Sequence, residues 1–234
     1  MRVLAVGCHP DDLEIACTGT LIKYIKRGDE VFMCHVANGC RGHKIIPPEK
    51  LGPMRHQEAE NAAKLIGAKK IFDLDVNDLE VDSSDMALKR RMIRVIKEVK
   101  PDVIITHDPS DYMTDHREVS KLVFDASFGA SVDHIEEDLG VCEPAPLYYM
   151  DTLAGVGFDP QDYVDVTDEI ELKLQALECH ETQIKWMREH DKIDFPDFVR
   201  TCSKYRGLQS SVQYAEAFRK CYDWPRISTK RLLP

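Results

Sequence analysis

Val3-Leu4-Ala5-Val6-Gly7-Cys8-His9-Pro10-Asp11-Asp12 is the stretch that decides how the chain is read. Val3 to Val6 form a short apolar run that stops at a glycine. Its length suits a strand rather than a helix, and its lack of alternation suits a strand buried on both faces, as in a parallel sheet covered by helices. An imidazole and two carboxylates then stand at the strand's exit, where α/β proteins place ligand sites. His9 and Asp12, three residues apart, can bind one divalent metal and leave Asp11 free to act as a base. A second cluster, Asp111-Tyr112-Met113-Thr114-Asp115-His116, follows a second apolar run, Val103-Ile104-Ile105-Thr106, and His116 can supply a third ligand. Asp115, next to His116, is a candidate for orienting that imidazole through its other nitrogen.

The rest of the chain extends the same pattern. Strand-like segments fall at 2–7, 31–37, 70–74 and 102–107, with further candidates at 147–152 and 163–166. Between them, Ala59, Ala62, Ala63 and Ile66 share a helical face that Gly67 closes. Leu88, Met92, Val95, Ile96 and Val99 mark a second helix before Pro101, and Val119, Leu122, Val123, Ala126 and Ala130 a third. Strands alternating with helices of this length predict α/β architecture: a Rossmann-like three-layer sandwich with a mostly parallel sheet and helices on both faces. One domain is expected over 1–234. Thr167 or Asp168 is a candidate cap for a helix carrying Ile170, Leu174, Leu177 and Ile184. Residues 185–210, polar and holding Pro196, read as a long loop with local helix, and Tyr214 to Tyr222 as a final helix. Together 185–234 read as a C-terminal extension.

Composition excludes several classes. The 234 residues are 43% hydrophobic and 31% charged, with a net charge of −10, which argues against sequence-independent nucleic-acid binding. No apolar run has the length of a membrane span, and no signal segment precedes the first strand, so a cytoplasmic location with no membrane partner is expected. The eight cysteines include no CxxC pair and are expected to be reduced thiols. No GxGxxG follows the first strand, which removes the main signature of a nucleotide-dependent redox enzyme.

Each site residue also has a blander reading. Asp11, Asp12 and Asp115 are all placed to cap helices or to sit in first turns favoured by the dipole. Arg55 is read either as a bidentate ligand for a substrate hydroxyl or carboxylate, or as the partner of Glu58. Arg41 and Arg117 lie on segments facing the site, and Asp78 is expected to cap its loop. His35, His56, His107, His134 and His190 are read as structural, with His107 the one that ends the second apolar run.

The chain resembles the PIG-L / LmbE-like family of zinc-dependent N-acetyl-sugar deacetylases. The resemblance rests on Gly7-Cys8-His9-Pro10-Asp11-Asp12-Leu13-Glu14, on Val36-Ala37-Asn38-Gly39 with Gly42, and on Arg55, Glu58 and Ala62 to Gly67. It continues through Asp108 to Arg117, Lys173 with Ala176-Leu177, His180 with Gln183, and Tyr214 to Phe218. It implies His9, Asp12 and His116 as zinc ligands, Asp11 as general base and Asp115 as a second catalytic carboxylate. Iron(II) or another divalent metal is an alternative. It also implies amide hydrolysis by zinc-bound water, an N-acetyl sugar or sugar conjugate as substrate, and a homo-oligomer. Asn38, Arg55, Tyr112, Arg117 and His180 are the expected substrate contacts. One position departs from the pattern. Met113 stands where many members carry a histidine that stabilises the oxyanion, and methionine donates no hydrogen bond; His43, Tyr112 and His180 are the candidate substitutes. Two other functions compete with deacetylation: a zinc-dependent hydratase or lyase on a small carboxylic acid, and a sugar- or metal-binding protein without turnover.

Overall fold

The computed structural model describes all residues from Met1 to Pro234. The chain runs β1 (Arg2–Gly7), α1 (Asp12–Ala16), α2 (Thr18–Lys26), β2 (Glu30–Ala37), α3 (Pro48–Ile66), β3 (Lys70–Val76), α4 (Met86–Val99), β4 (Val103–Thr106) and α5 (Thr114–Gly129). It continues with β5 (Leu147–Met150), β6 (Asp162–Asp165), α6 (Ile170–Glu178), α7 (Glu181–Trp186), a π-helical turn at Met187–Asp191, α8 (Phe195–Ser210) and β7 (Ala215–Lys220). One seven-stranded sheet takes the order β3-β2-β1-β4-β5-β7-β6. The first five of these pair in parallel, and β7 runs antiparallel to both β5 and β6. This is the α/β sandwich expected from the sequence.

The uninterrupted apolar character of β1 follows from its central place. Leu4 and Val6 join the core on one face with α4 and α5, while Val3 and Ala5 join the core on the other with α2 and α3. All four are fully buried. Truncating one of the larger of them, Leu4→Ala, would cost about 2–5 kcal/mol. A third cluster, Ile170, Leu174, Leu177, Phe195 and Val199, joins α6 to α8.

The C-terminal third corrects three expectations. Residues 185–210 are not a long loop. Asp194 caps α8, its carboxylate accepting the Asp197 N–H, and Pro196 sits in the first turn, where a missing N–H removes no helical bond. Tyr214 to Tyr222 is not a helix but contains β7, whose Ala215, Glu216, Ala217 and Phe218 are buried between two partner strands. Pairing on both edges overrides the helical propensity of Ala and Glu. The helix carrying Ile170 and Leu174 starts without a side-chain cap from Thr167 or Asp168, and it breaks at His180, so Ile184 belongs to α7. Within 185–234, β7 is thus an inner strand of the sheet.

Candidate metal centre and active site

The site begins with a tight turn. At Gly7 an added Cβ would meet Leu13 Cγ at 3.1 Å and Asp12 Cβ at 3.3 Å, so a side chain there would press on the first turn of α1. The chain then doubles back, and Asp12 Oδ2 accepts the backbone N–H groups of His9 at 2.6 Å and Cys8 at 3.1 Å. Asp11 makes no cap hydrogen bond; its Oδ1 accepts from Arg55 Nη2 at 2.7 Å, both residues being buried. Asp115 also turns away from its helix, with Oδ2 3.3 Å from His9 Nε2 and accepting the Leu79 N–H at 2.8 Å. Helix capping thus accounts for none of the three acids.

Imidazoles converge on Asp12. Its Oδ2 is 3.2 Å from His107 Nε2, 3.4 Å from His116 Nε2 and 3.5 Å from His9 Nδ1. The His107 and His116 rings stack, centroids 3.9 Å apart. Donor atoms of Asp12, His107 and His116 lie within 4.8 Å of one another, and those of Cys8, His9 and Asp12 form a second such group sharing the same carboxylate. His116 is buried and neither ring nitrogen makes a hydrogen bond of good geometry, although Nδ1 lies 3.2 Å from Asp111 Oδ2. One carboxylate, several imidazoles and a buried ring nitrogen short of a partner suit a divalent cation of the zinc class. His107, read from sequence as structural, is part of this cluster. Its signal was its position, since it follows β4 as His9 follows β1.

The electrostatics agree with the packing. Burial opposes the Asp12 charge, yet His116 and His107 outweigh it and hold the carboxyl well below the usual carboxylate range. Burial likewise disfavours a charged His116, but Asp12 and Asp111 raise it to about 9. His107 falls to about 4, through burial first and the neighbouring His116 second. Burial pushes the Cys8 thiol up to about 12, so its sulfur, 3.8 Å from His9 Nε2, stays a neutral thiol. His35, inside the core, drops to about 3 by burial and is the neutral core residue that was expected.

These groups open into a cleft of about 410 Å³, within the range of small-molecule sites. Arg41, Arg55, Asp78, Tyr112 and Met113 line it along with the cluster. Asp78 does shape a loop, its two oxygens accepting the N–H groups of Gly39 and Arg41 at 2.8 Å each. Arg55 does not pair with Glu58, which instead accepts the Thr182 N–H and hydroxyl at 2.8 and 2.7 Å. Three of the expected substrate contacts do not reach the cleft. Asn38 faces a neighbouring groove and bonds Asp75 and the Cys40 N–H. Arg117 donates to the carbonyls of Asp111 and Tyr112 at 2.7 Å, fixing the loop before α5. His180 is fully buried, 3.4 Å from the equally buried Glu14. Tyr112 lines the cleft and presents an edge-on ring to His116, centroids 6.5 Å apart. His43 lies outside the lining and is held against Trp186.

A mostly parallel α/β sheet with a carboxylate–imidazole cluster at the carboxyl ends of β1 and β4 defines a candidate metal-centre protein of the Rossmann-like class. Residues 4–127, more than half of the chain, match the family described as PIG-L: GlcNAc-PI de-N-acetylase, and the chain belongs to that family. It is 27% identical over 227 residues to the diacetylchitobiose deacetylase of Thermococcus kodakarensis, covering 93% of this chain and 82% of that one. The solved N,N'-diacetylchitobiose deacetylase from Pyrococcus horikoshii superposes with a TM-score of 0.81 at 27% identity, over 94% of this chain and 83% of the other. The 4-carboxy-2-hydroxymuconate hydratase from Pseudomonas putida KT2440 superposes at 0.83 over 99% and 100% of the two chains; at 20% identity this shows a shared fold. No helix is long and apolar enough to cross a membrane.

Proposed function

We propose that the protein is a divalent-metal-dependent amide hydrolase that removes the acetyl group from an N-acetylated amino sugar or sugar conjugate. The observation that carries this reading is the Asp11–Arg55 pair opening into the same cleft as the Asp12–His116 cluster. The two deacetylase relatives support the N-acetyl sugar as substrate class. His9, Asp12 and His116 are the residues that would hold the metal, zinc first and iron(II) second. A divalent cation held there supplies Lewis acidity, polarising the acetyl carbonyl and making water more acidic.

The chain's own residues do the rest. Asp11 takes the proton of the attacking water, held in place by Arg55 on Oδ1. It returns that proton to the leaving nitrogen as the C–N bond breaks, giving acetate and a free amine. Asp115 fixes the His9 ring from the far side. Tyr112, beside Met113 on the cleft, carries the hydroxyl that stands in for the donor Met113 lacks. The test is acetate release from a panel of N-acetyl sugars, with Asp11→Asn losing turnover while retaining metal; no release from any sugar by metal-loaded protein overturns the reading.

Met113 favours a second reading, hydration of a small unsaturated acid. Two arginines line the cleft, but Arg55 is engaged by Asp11 and Arg41 by Glu80 and the Asp78 carbonyl, so neither is left free for a carboxylate substrate, which places this reading behind the first. A panel of unsaturated acids separates the two.

A further inference from the structure

The floor of the cleft is polar, but one wall is not. Ile15, Leu153, Met187 and Phe195 all line it. Phe195 belongs to the cluster that joins α6 to α8, and Ile15 and Met187 pack against that cluster, so this patch of core surfaces inside the cleft. Ile15 stands one helical turn beyond Asp11, its N–H bonded to the Asp11 carbonyl at 3.1 Å, and the wall therefore begins beside the base. The acid on this side is already engaged: both oxygens of Asp151 accept from the Arg206 guanidinium, at 2.6 and 3.0 Å. A sugar hydroxyl pressed against such a wall would lose its water without gaining a partner. Hydrocarbon would be buried there at a gain. Apart from Ile15, these wall residues lie outside the matched segment 4–127, so the wall and the shared machinery are separate parts of the chain.

We infer that the substrate carries a hydrocarbon substituent larger than the acetyl methyl, seated on the Ile15–Leu153–Met187–Phe195 wall while the scissile amide lies over the polar floor. This rests on the amide-hydrolase reading above. The hydrocarbon enters either as a longer N-acyl chain or as the aglycone of an N-acetyl sugar.

Three probes separate these sources: methyl N-acetyl-β-glucosaminide as reference, the methyl glycoside of N-hexanoylglucosamine, and hexyl N-acetyl-β-glucosaminide. Binding is measured by calorimetry on zinc-loaded wild type, Met187→Gln and Leu153→Gln, two half-buried positions on separate elements, with a thermal melt of each variant to check its fold. At least one of the two longer-chain probes is expected to bind about tenfold tighter than the reference. Each variant is expected to cut that advantage by about threefold or more without changing binding of the reference. Tighter binding of the hexanoyl amide assigns the wall to the acyl chain; tighter binding of the hexyl glycoside assigns it to the aglycone. Equal binding of all three probes, or an advantage unchanged in both folded variants, overturns the inference while leaving acetate release untouched. Tighter binding without acid released from any probe sinks the hydrolase reading and the scissile amide with it, while upholding the wall as the seat of a hydrocarbon substituent.

Discussion

Oδ2 of Asp111 lies 3.2 Å from Nδ1 of His116, so the carboxylate beside that ring nitrogen comes from the preceding loop and not from its immediate neighbour. Successive residues of a helix diverge by about 100°, and Asp115 in the first turn of α5 therefore faces His9. The sequence expectation gave the orienting role on His116 to Asp115. Each of the two imidazoles has a different carboxylate beside it, Asp111 by His116 and Asp115 by His9. Asp111→Asn is expected to weaken metal affinity about 10–100-fold, read by competition against a chelator of known affinity. An affinity equal to wild type would mean that Asp111 serves only its loop.

Asp12 is shared by both donor groups. Asp12→Ala is expected to abolish metal binding, measured as metal content per chain after purification without chelator. Retention of a full equivalent would relocate the metal. The same measurement on His107→Ala and His9→Ala shows which imidazole contributes more.

Asp11 and Arg55 form a buried pair. Asp11→Asn is expected to lower turnover about 10²–10⁴-fold with metal content unchanged. Arg55→Met strands a buried carboxylate and is expected to destabilise the fold by about 3–5 kcal/mol, seen in chemical denaturation. A variant as stable and active as wild type would remove Arg55 from the machinery.

His180 is raised above its ordinary value: burial disfavours its charge, but Glu14 at 3.4 Å outweighs burial. A group whose pKa is raised by folding adds stability below its unfolded pKa, and that contribution fades as pH rises through the folded value. His180→Gln is therefore expected to lower the melting temperature more at pH 6 than at pH 9. A deficit that is constant across that range would contradict the pairing.

Much of the fold was legible because β1 and β4 carry unbroken apolar runs that end in the site's own residues. His9, Asp11, Asp12 and His116 follow from those two strand ends. Other features depended on long-range partners that a local pattern does not carry. Ala215 to Phe218 reads as helix until β5 and β6 flank it, and Pro196 reads as a breaker until Asp194 places it in a first turn. His180 enters the sequence reading as a substrate contact only through the family resemblance, while its burial against Glu14 comes with the packing of α6 onto α1. His107 reads as structural from sequence, set apart from the other structural histidines only by its place after the second apolar run.

β7 comes late in the chain yet lies between β5 and β6, strands that precede it. A polypeptide emerging amino end first can assemble the Asp12 cluster from residues 9–116 while β6 still has no neighbour in the sheet. Leu153, Met187 and Phe195 lie between β5 and β7 in the chain, so the wall they form belongs to the stretch that β7 closes. A chain clipped before Ala215 would strand the buried Lys173 ammonium without Glu216 and leave the Gly19 and Thr20 amides unmet, so it is expected to fail to fold.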